Sequence, residues 1–356
     1  MARVIGVFSG KGGVGKTTLV ANLSASLSKN FNKKIVAIDS NISISHLGMH
    51  LGLYEDPKVT LREVLLKKAS PMSALYIHPS TGVRLLPSPL NSSFDGISLR
   101  GIENVVDQLS RDNDIVIIDA APGLGREVIA AAECIDDAII VATPDIPSVT
   151  DALKTINLIK RINDDINILG LVVNRVRNER YELTKNEIES ACNINVITHI
   201  PEDVKIPESI AKGSPVVDIH PYSKASIAFN RLSAALIGQN YEPNNLLYKL
   251  MKMAGFAKED FVKIPFMNDV IRSEQKKKKK PKVVKIKDEV EREEAGEEKS
   301  EDEEENEEEE VEARDVKKLR REVDESIKSK PYAKSDIRKR LAMKIKERLG
   351  ERGIEE

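Results

Sequence analysis

Cysteine is nearly absent from these 356 residues: Cys134 and Cys192 are the only two, and they lie far apart with no CxxC pair. That excludes a disulfide framework and supplies no ligand set for zinc or an iron–sulfur cluster. Two small buried side chains in a reducing compartment are expected. Long apolar runs are missing as well, since nothing approaches the ~20 residues that a membrane-spanning helix needs. The N-terminus, MARVIGVFSGKGG, enters a glycine-rich motif too soon for a cleaved leader. A soluble, cytoplasmic chain is therefore expected. Aromatic residues make up only 4% and tryptophan does not occur, yet 40% of the chain is hydrophobic, enough for one sizeable globular domain with further material attached. No internal repeat is visible. A dominant charge sign is lacking too, but the formal balance of −2 conceals segregation. Lys276 to Lys280 is an unbroken lysine run, and the stretch from Asp288 to Asp315 carries eighteen carboxylates against Arg292, Lys299 and Arg314.

What is present, from Arg3 to about Gly238, is an alternation of short apolar runs and longer amphipathic stretches. RVIGVFS, KKIVAIDS, DIVIIDAA, DAIIVATP and INILGLVVN are nearly continuous hydrophobic runs rich in Val and Ile, as strands buried on both faces should be. Between them, Leu19, Leu23 and Leu27 recur at helical spacing, as do Ile156, Ile159 and Ile162. The expected fold class is α/β, a mainly parallel, doubly wound sheet over residues 1–240, whose ligands sit at the carboxyl ends of the strands. A peripheral helix or linker is expected over 241–275, and a charged, disordered linker over 276–334. Over 335–350, Ser335 is a candidate N-cap and Gly350 a candidate stop for a basic amphipathic helix with Ile337, Leu341, Ile345 and Leu349 on one stripe.

The residues that carry chemistry begin at SGKGGVGKTT. Gly10, Lys11, Gly12, Gly13, Val14, Gly15, Lys16 and Thr17 fit GxxxxGK[ST], between an apolar strand and a helical pattern. Glycines let the backbone wrap a polyphosphate and the helix N-terminus favours its charge. Lys16 reaches the outer phosphates, the Thr17 hydroxyl ligates Mg²⁺, and Thr18 completes the loop. Without a ligand the same stretch is merely a glycine-rich turn. Magnesium also requires a carboxylate from another strand. Asp119, ending DIVIID, and Asp39, ending KKIVAID, have that position, although an Asp at a strand end also serves as an ordinary cap.

One lysine suffices for a phosphate loop, and here there are two. Lys11 together with Lys16 in KGGVGKTT resembles the deviant Walker A motif of the MinD/ParA group of P-loop ATPases, and the resemblance covers roughly residues 1 to 238. IDAAPGLGREVI, VATPDIPSVTDALKTINLI, LVVNRV and IPEDVKIPESIAKGSPVV are similar to further family segments. The resemblance implies ATP and Mg²⁺ as cofactors, with Asn174 and the segment from Pro201 to Asp203 at the adenine ring. An amide suits adenine because it donates and accepts, but Asn is equally a turn residue. It also implies a homodimer in which Lys11 reaches the phosphates bound by a second subunit, a cation supplied across an interface in the manner of an arginine finger. Otherwise Lys11 is a solvent-exposed loop lysine.

At Asn41 the sequence departs from the family. AIDSNISISHLG carries Asn41 where the family has the second Asp of Asp-x-Asp, which positions the attacking water. An amide can orient water without acting as a base, so slow ATP hydrolysis is expected, with Lys11, Lys16 and Asn41 as the catalytic set. His46 stands where the family usually has Asn, and a surface or dimer-contact role is expected for it.

The 335–350 segment is similar in character to the membrane-docking helix that ends many MinD proteins, an apolar stripe flanked by Arg and Lys. A partner-docking helix or a coiled-coil contact fits it equally. Three functions follow: a MinD-like switch, attached peripherally to membrane, that positions a division site or another structure; a ParA-like partition ATPase whose lysine run contacts DNA; or a non-hydrolysing scaffold.

Overall fold

A computed structural model describes residues 2–42, 45–55, 57–90 and 99–243. The expected segments 276–334 and 335–350, and all but three residues of 241–275, lie outside the described residues.

The chain runs through β1 (Arg3–Phe8), α1 (Lys16–Lys29), β2 (Ile35–Asp39), α2 (Leu47–His50), α3 (Leu61–Leu65), β3 (Tyr76–Ile77) and β4 (Arg84–Leu86). It continues through α4 (Ile102–Leu109), β5 (Ile115–Asp119), α5 (Arg126–Glu133), β6 (Asp137–Ala142), α6 (Ile146–Ile162) and β7 (Asn167–Val176). The described part closes with α7 (Lys185–Cys192), β8 (Val196–Pro201), α8 (Lys205–Ala211), α9 (Val216–Ile219) and α10 (Lys224–Leu236). The strands form one eight-stranded sheet in the order β3-β4-β2-β5-β1-β6-β7-β8. Every pairing is parallel except β3 with β4 at the edge.

The continuous apolar runs are explained by burial on both faces. Val4 and Phe8 of β1, Val36 and Ile38 of β2, and Val116 and Ile118 of β5 enter one core, together with α4, α5, α6 and α7. Their neighbours Ile5, Val7, Ile35, Ala37, Ile115 and Ile117 enter the other, beneath α1, α9 and α10. A two-residue side-chain period thus fills two cores from one strand. In β7 the period is interrupted at Gly170, where the register with β6 shifts; this extra residue lets Leu169 face one core and Leu171 the other.

The register places the site. Asp39 of β2 pairs with Asp119 of β5, and Val7 of β1 pairs with the same Asp119. Three strands therefore end at one level, and the glycine loop leaves β1 beside two carboxylates.

Candidate functional site

The three longest helices begin differently. Asp145 caps α6 by accepting from the Ser148 N–H at 2.9 Å, and Ser223 caps α10 by accepting from Ser226 N–H at 3.2 Å. α1 has no side-chain cap and no acidic residue in its first turn; its N-cap is Gly15 in the left-handed region, φ 95°. The first N–H groups of α1 are thus left for an anion. The loop before it is held from outside. A Cβ on Gly10 would lie 2.2 Å from the Asp151 carbonyl oxygen, and one on Gly15 would lie 2.1 Å from Asn174 Nδ2. At Gly12 and Gly13 a Cβ would meet nothing, so that side of the cradle is open. The Ser9 hydroxyl donates to the Lys11 carbonyl at 3.0 Å, and the Gly123 N–H donates to the Ser9 carbonyl at the same distance.

The two lysines of the loop differ in burial. Lys11 is exposed, whereas Lys16 is buried, with 6% of its side chain accessible, and its Nζ lies 2.8 Å from Asp119 Oδ1. Asp119 is 1% accessible, and its other oxygen, Oδ2, is buried with no hydrogen-bond partner. Thr17 is half-buried one residue along. Asp39 is wholly buried and accepts three hydrogen bonds: Oδ1 from the Asn41 N–H at 3.1 Å, and Oδ2 from the Ser45 hydroxyl at 2.8 Å and the Leu47 N–H at 3.1 Å. Burial, then the neighbouring Asp119 carboxylate, push the Asp39 carboxyl up to about 7 against the pull of these donors. A cation between the two strand ends removes that repulsion. Asn41 is itself buried beside Asp39.

Asn174 is buried behind the loop, its Nδ2 donating to the Val14 carbonyl at 2.7 Å. Pro201 ends β8, and Asp203 accepts from the Lys205 N–H at 2.9 Å and the Ala225 N–H at 3.1 Å. Burial opposes ionisation of Asp203, but these two N–H groups, with Ser223 and Lys224, hold its carboxyl below the usual range. An open groove of ≈ 700 Å³ lies beside it, walled by Val204, Lys205, His220 and Tyr222. The loop, Asp39, Asn41, Asp119 and Asn174 are thus brought together, while Pro201 and Asp203 stand at the end of β8.

A model of the CobQ/CobB/MinD/ParA nucleotide-binding domain matches residues 5–216. The chain belongs to this family. An uncharacterized ATP-binding protein of Methanocaldococcus jannaschii is 39% identical over 243 residues, which cover 68% of this chain and 90% of that protein. The septum site-determining protein MinD of Synechocystis sp. is 36% identical over 248 residues, covering 67% and 91%. Among solved structures, MinD of Pyrococcus horikoshii complexed with Mg-ADP is 29% identical with a TM-score of 0.61, covering 73% of this chain and all of that one. The eight-stranded, mainly parallel sheet is the MinD/ParA fold expected from the sequence. Among the described residues no helix is long and apolar enough to cross a membrane.

Some contributors to this MinD/ParA-family site escape the sequence reading. Ser45 holds Asp39, Asp151 backs Gly10, and His50 Nε2 lies 3.3 Å from the Thr18 hydroxyl. His46 is exposed, and its carbonyl receives His50 Nδ1. Ser45 and Asp151 lie inside stretches read for other residues, His46 takes the surface position expected of it, and His50 lies outside every quoted segment.

Proposed function

We propose that the protein is an ATP-dependent dimerising switch of MinD type, which binds Mg²⁺ and ATP, hydrolyses ATP slowly, and positions a division site or another cellular structure. The observation that carries this reading is the pairing of Lys16 with Asp119 while Lys11 is left exposed. The donor set fits a metal–nucleotide complex. A buried, unpartnered Asp119 Oδ2, the Asp39 carboxyl beside it and the Thr17 hydroxyl favour a hard cation, and the uncapped start of α1 favours phosphate. Magnesium, when bound, neutralises charge on the outer phosphate oxygens.

The residues then divide the work. Lys16 exchanges the Asp119 carboxylate for phosphate, freeing Asp119 for the cation. Backbone N–H groups of residues 12–18 cradle the phosphates. Asn41, fixed through its own N–H to Asp39, orients a water without taking its proton. Lys11 extends from the loop toward a second subunit and adds positive charge at the transferring group. ADP with magnesium in the Pyrococcus horikoshii relative supports the same cofactors here.

Asn41 favours one further reading, a scaffold that binds ATP and does not turn it over. Sedimentation of wild type and Lys11→Ala, each with and without magnesium-ATP, tests the switch. A dimer that forms only with wild type and nucleotide is expected; a monomer in every condition sinks the sandwich mechanism. Turnover of the dimer then separates switch from scaffold.

A further inference from the structure

Thr18 stands in the first turn of α1, beside the open cradle, and its hydroxyl has a partner outside the loop. Thr18 Oγ1 lies 3.3 Å from His50 Nε2. The direction of this hydrogen bond follows from the other ring nitrogen. His50 Nδ1 is 3.0 Å from the His46 carbonyl oxygen, and a carbonyl only accepts, so Nδ1 carries the proton. Burial, ahead of the opposing His46 carbonyl and the Asp119 charge, holds the His50 imidazole below its usual value, which keeps the ring neutral near pH 7. Nε2 therefore accepts, and Thr18 donates. The single hydrogen of the Thr18 hydroxyl points at α2 and away from the loop.

α2 is only four residues long, and its surroundings hold it firmly. At its start, Asp39 accepts the Leu47 N–H. Beyond its end, Gly52 approaches Gly213 so closely that a Cβ would be 2.7 Å from the Gly213 carbonyl oxygen, and the Tyr54 hydroxyl donates to the Ile210 carbonyl at 3.2 Å. The His50 contact to Thr18 is its direct side-chain link to the first turn of α1.

We propose that His50 is a positioning residue that holds the Thr18 hydroxyl hydrogen away from the phosphate cradle, so that His50 and a bound nucleotide phosphate compete for it. The inference rests on reading the loop as a nucleotide site. A phosphate oxygen is an acceptor and receives this hydrogen only after His50 has released it. Binding thus frees the His50 ring from α1, while Asp39 at one end of α2 and the Gly52 and Tyr54 contacts beyond the other keep the helix in place.

Magnesium-ADP titrated by calorimetry into the full-length protein provides the test, using His50→Ala, His50→Gln, Thr18→Val and the Thr18→Val/His50→Ala pair. His50→Ala is expected to bind about fivefold more tightly than wild type, the equivalent of one modest hydrogen bond. His50→Gln, which restores an acceptor oxygen, is expected to return to the wild-type value. In the Thr18→Val background, His50→Ala is expected to change nothing. Weaker or unchanged binding in His50→Ala overturns the proposal, as does an effect that survives Thr18→Val. Nitrogen-15 histidine NMR of the nucleotide-free protein reads the contact by itself. His50 is expected as the Nδ1–H tautomer, with an Nε2 resonance that moves in Thr18→Val, and the Nε2–H tautomer overturns the proposal. The expected tautomer without any magnesium-ADP binding overturns the competition by way of the nucleotide reading, whereas binding with the wrong tautomer overturns it at His50 alone.

Discussion

The ammonium of Lys16 sits 2.8 Å from the carboxylate of Asp119, and neither side chain reaches solvent appreciably. Removing one member of such a pair strands the other as a buried charge, which costs far more than the pair itself contributes. Lys16→Ala is therefore expected to lose nucleotide binding and also about 3 kcal/mol of nucleotide-free stability, a fall in melting temperature on the order of 10 °C. Calorimetric melting checks it, and Lys16→Ala/Asp119→Ala should recover most of the loss without recovering binding. A single variant as stable as wild type would contradict the buried pairing.

Asn41 lies beside Asp39, to which its backbone N–H donates. Asn41→Asp supplies a carboxylate where an amide now stands, and steady-state ATP turnover is expected to rise about a hundredfold, the lower end of what a positioned base contributes. If wild type already turns over rapidly and the substitution slows it, Asn41 has another role.

Asp39 makes stability depend on pH. Its folded carboxyl is pushed from 3.8 up to about 7 by burial and by Asp119. Between these values the folded protein binds more protons than the unfolded chain, so stability falls as pH rises. The contribution is fully present below about pH 4 and is lost as pH passes 7. Asp39→Asn removes the titration while keeping one of the two acceptor oxygens, so the slope with pH rather than the absolute stability is compared. Melting temperatures of the nucleotide-free variant are expected to be flatter across pH 4–7 than those of wild type; parallel profiles would refute this.

Asn174 offers a separate check, because its amide already serves the loop by donating to the Val14 carbonyl. Asn174→Ala is expected to cost about 1 kcal/mol of nucleotide-free stability from the lost hydrogen bond. If the residue acts only on adenine, the melting temperature without nucleotide stays unchanged and only ATP affinity falls.

The five apolar runs are legible as strands β1, β2, β5, β6 and β7 because burial on both faces leaves no polar position to blur them. β4 and β3 are not, for three and two residues carry no period, and VITHIP of β8 interrupts its apolar run with exposed His199. The glycine loop and the Asp at two strand ends can be read from local spacing alone. The partners of those residues cannot. Asn174 reaches Val14 across 160 positions of chain and Lys16 reaches Asp119 across 103. His50 touches Thr18 only because α2 folds back over α1, and no pattern at His50 distinguishes it from a surface histidine.

The salt bridge at the base of the loop also bears on which form of nucleotide the site accepts. A nucleotide arriving without its cation would draw Lys16 away and leave the buried Asp119 carboxylate beside Asp39 with no counter-charge. A nucleotide carrying magnesium would bring a replacement charge for Asp119 as the lysine leaves. On the proposed reading, the resting ion pair is expected to favour the metal complex, taken up as one unit, over the bare polyphosphate.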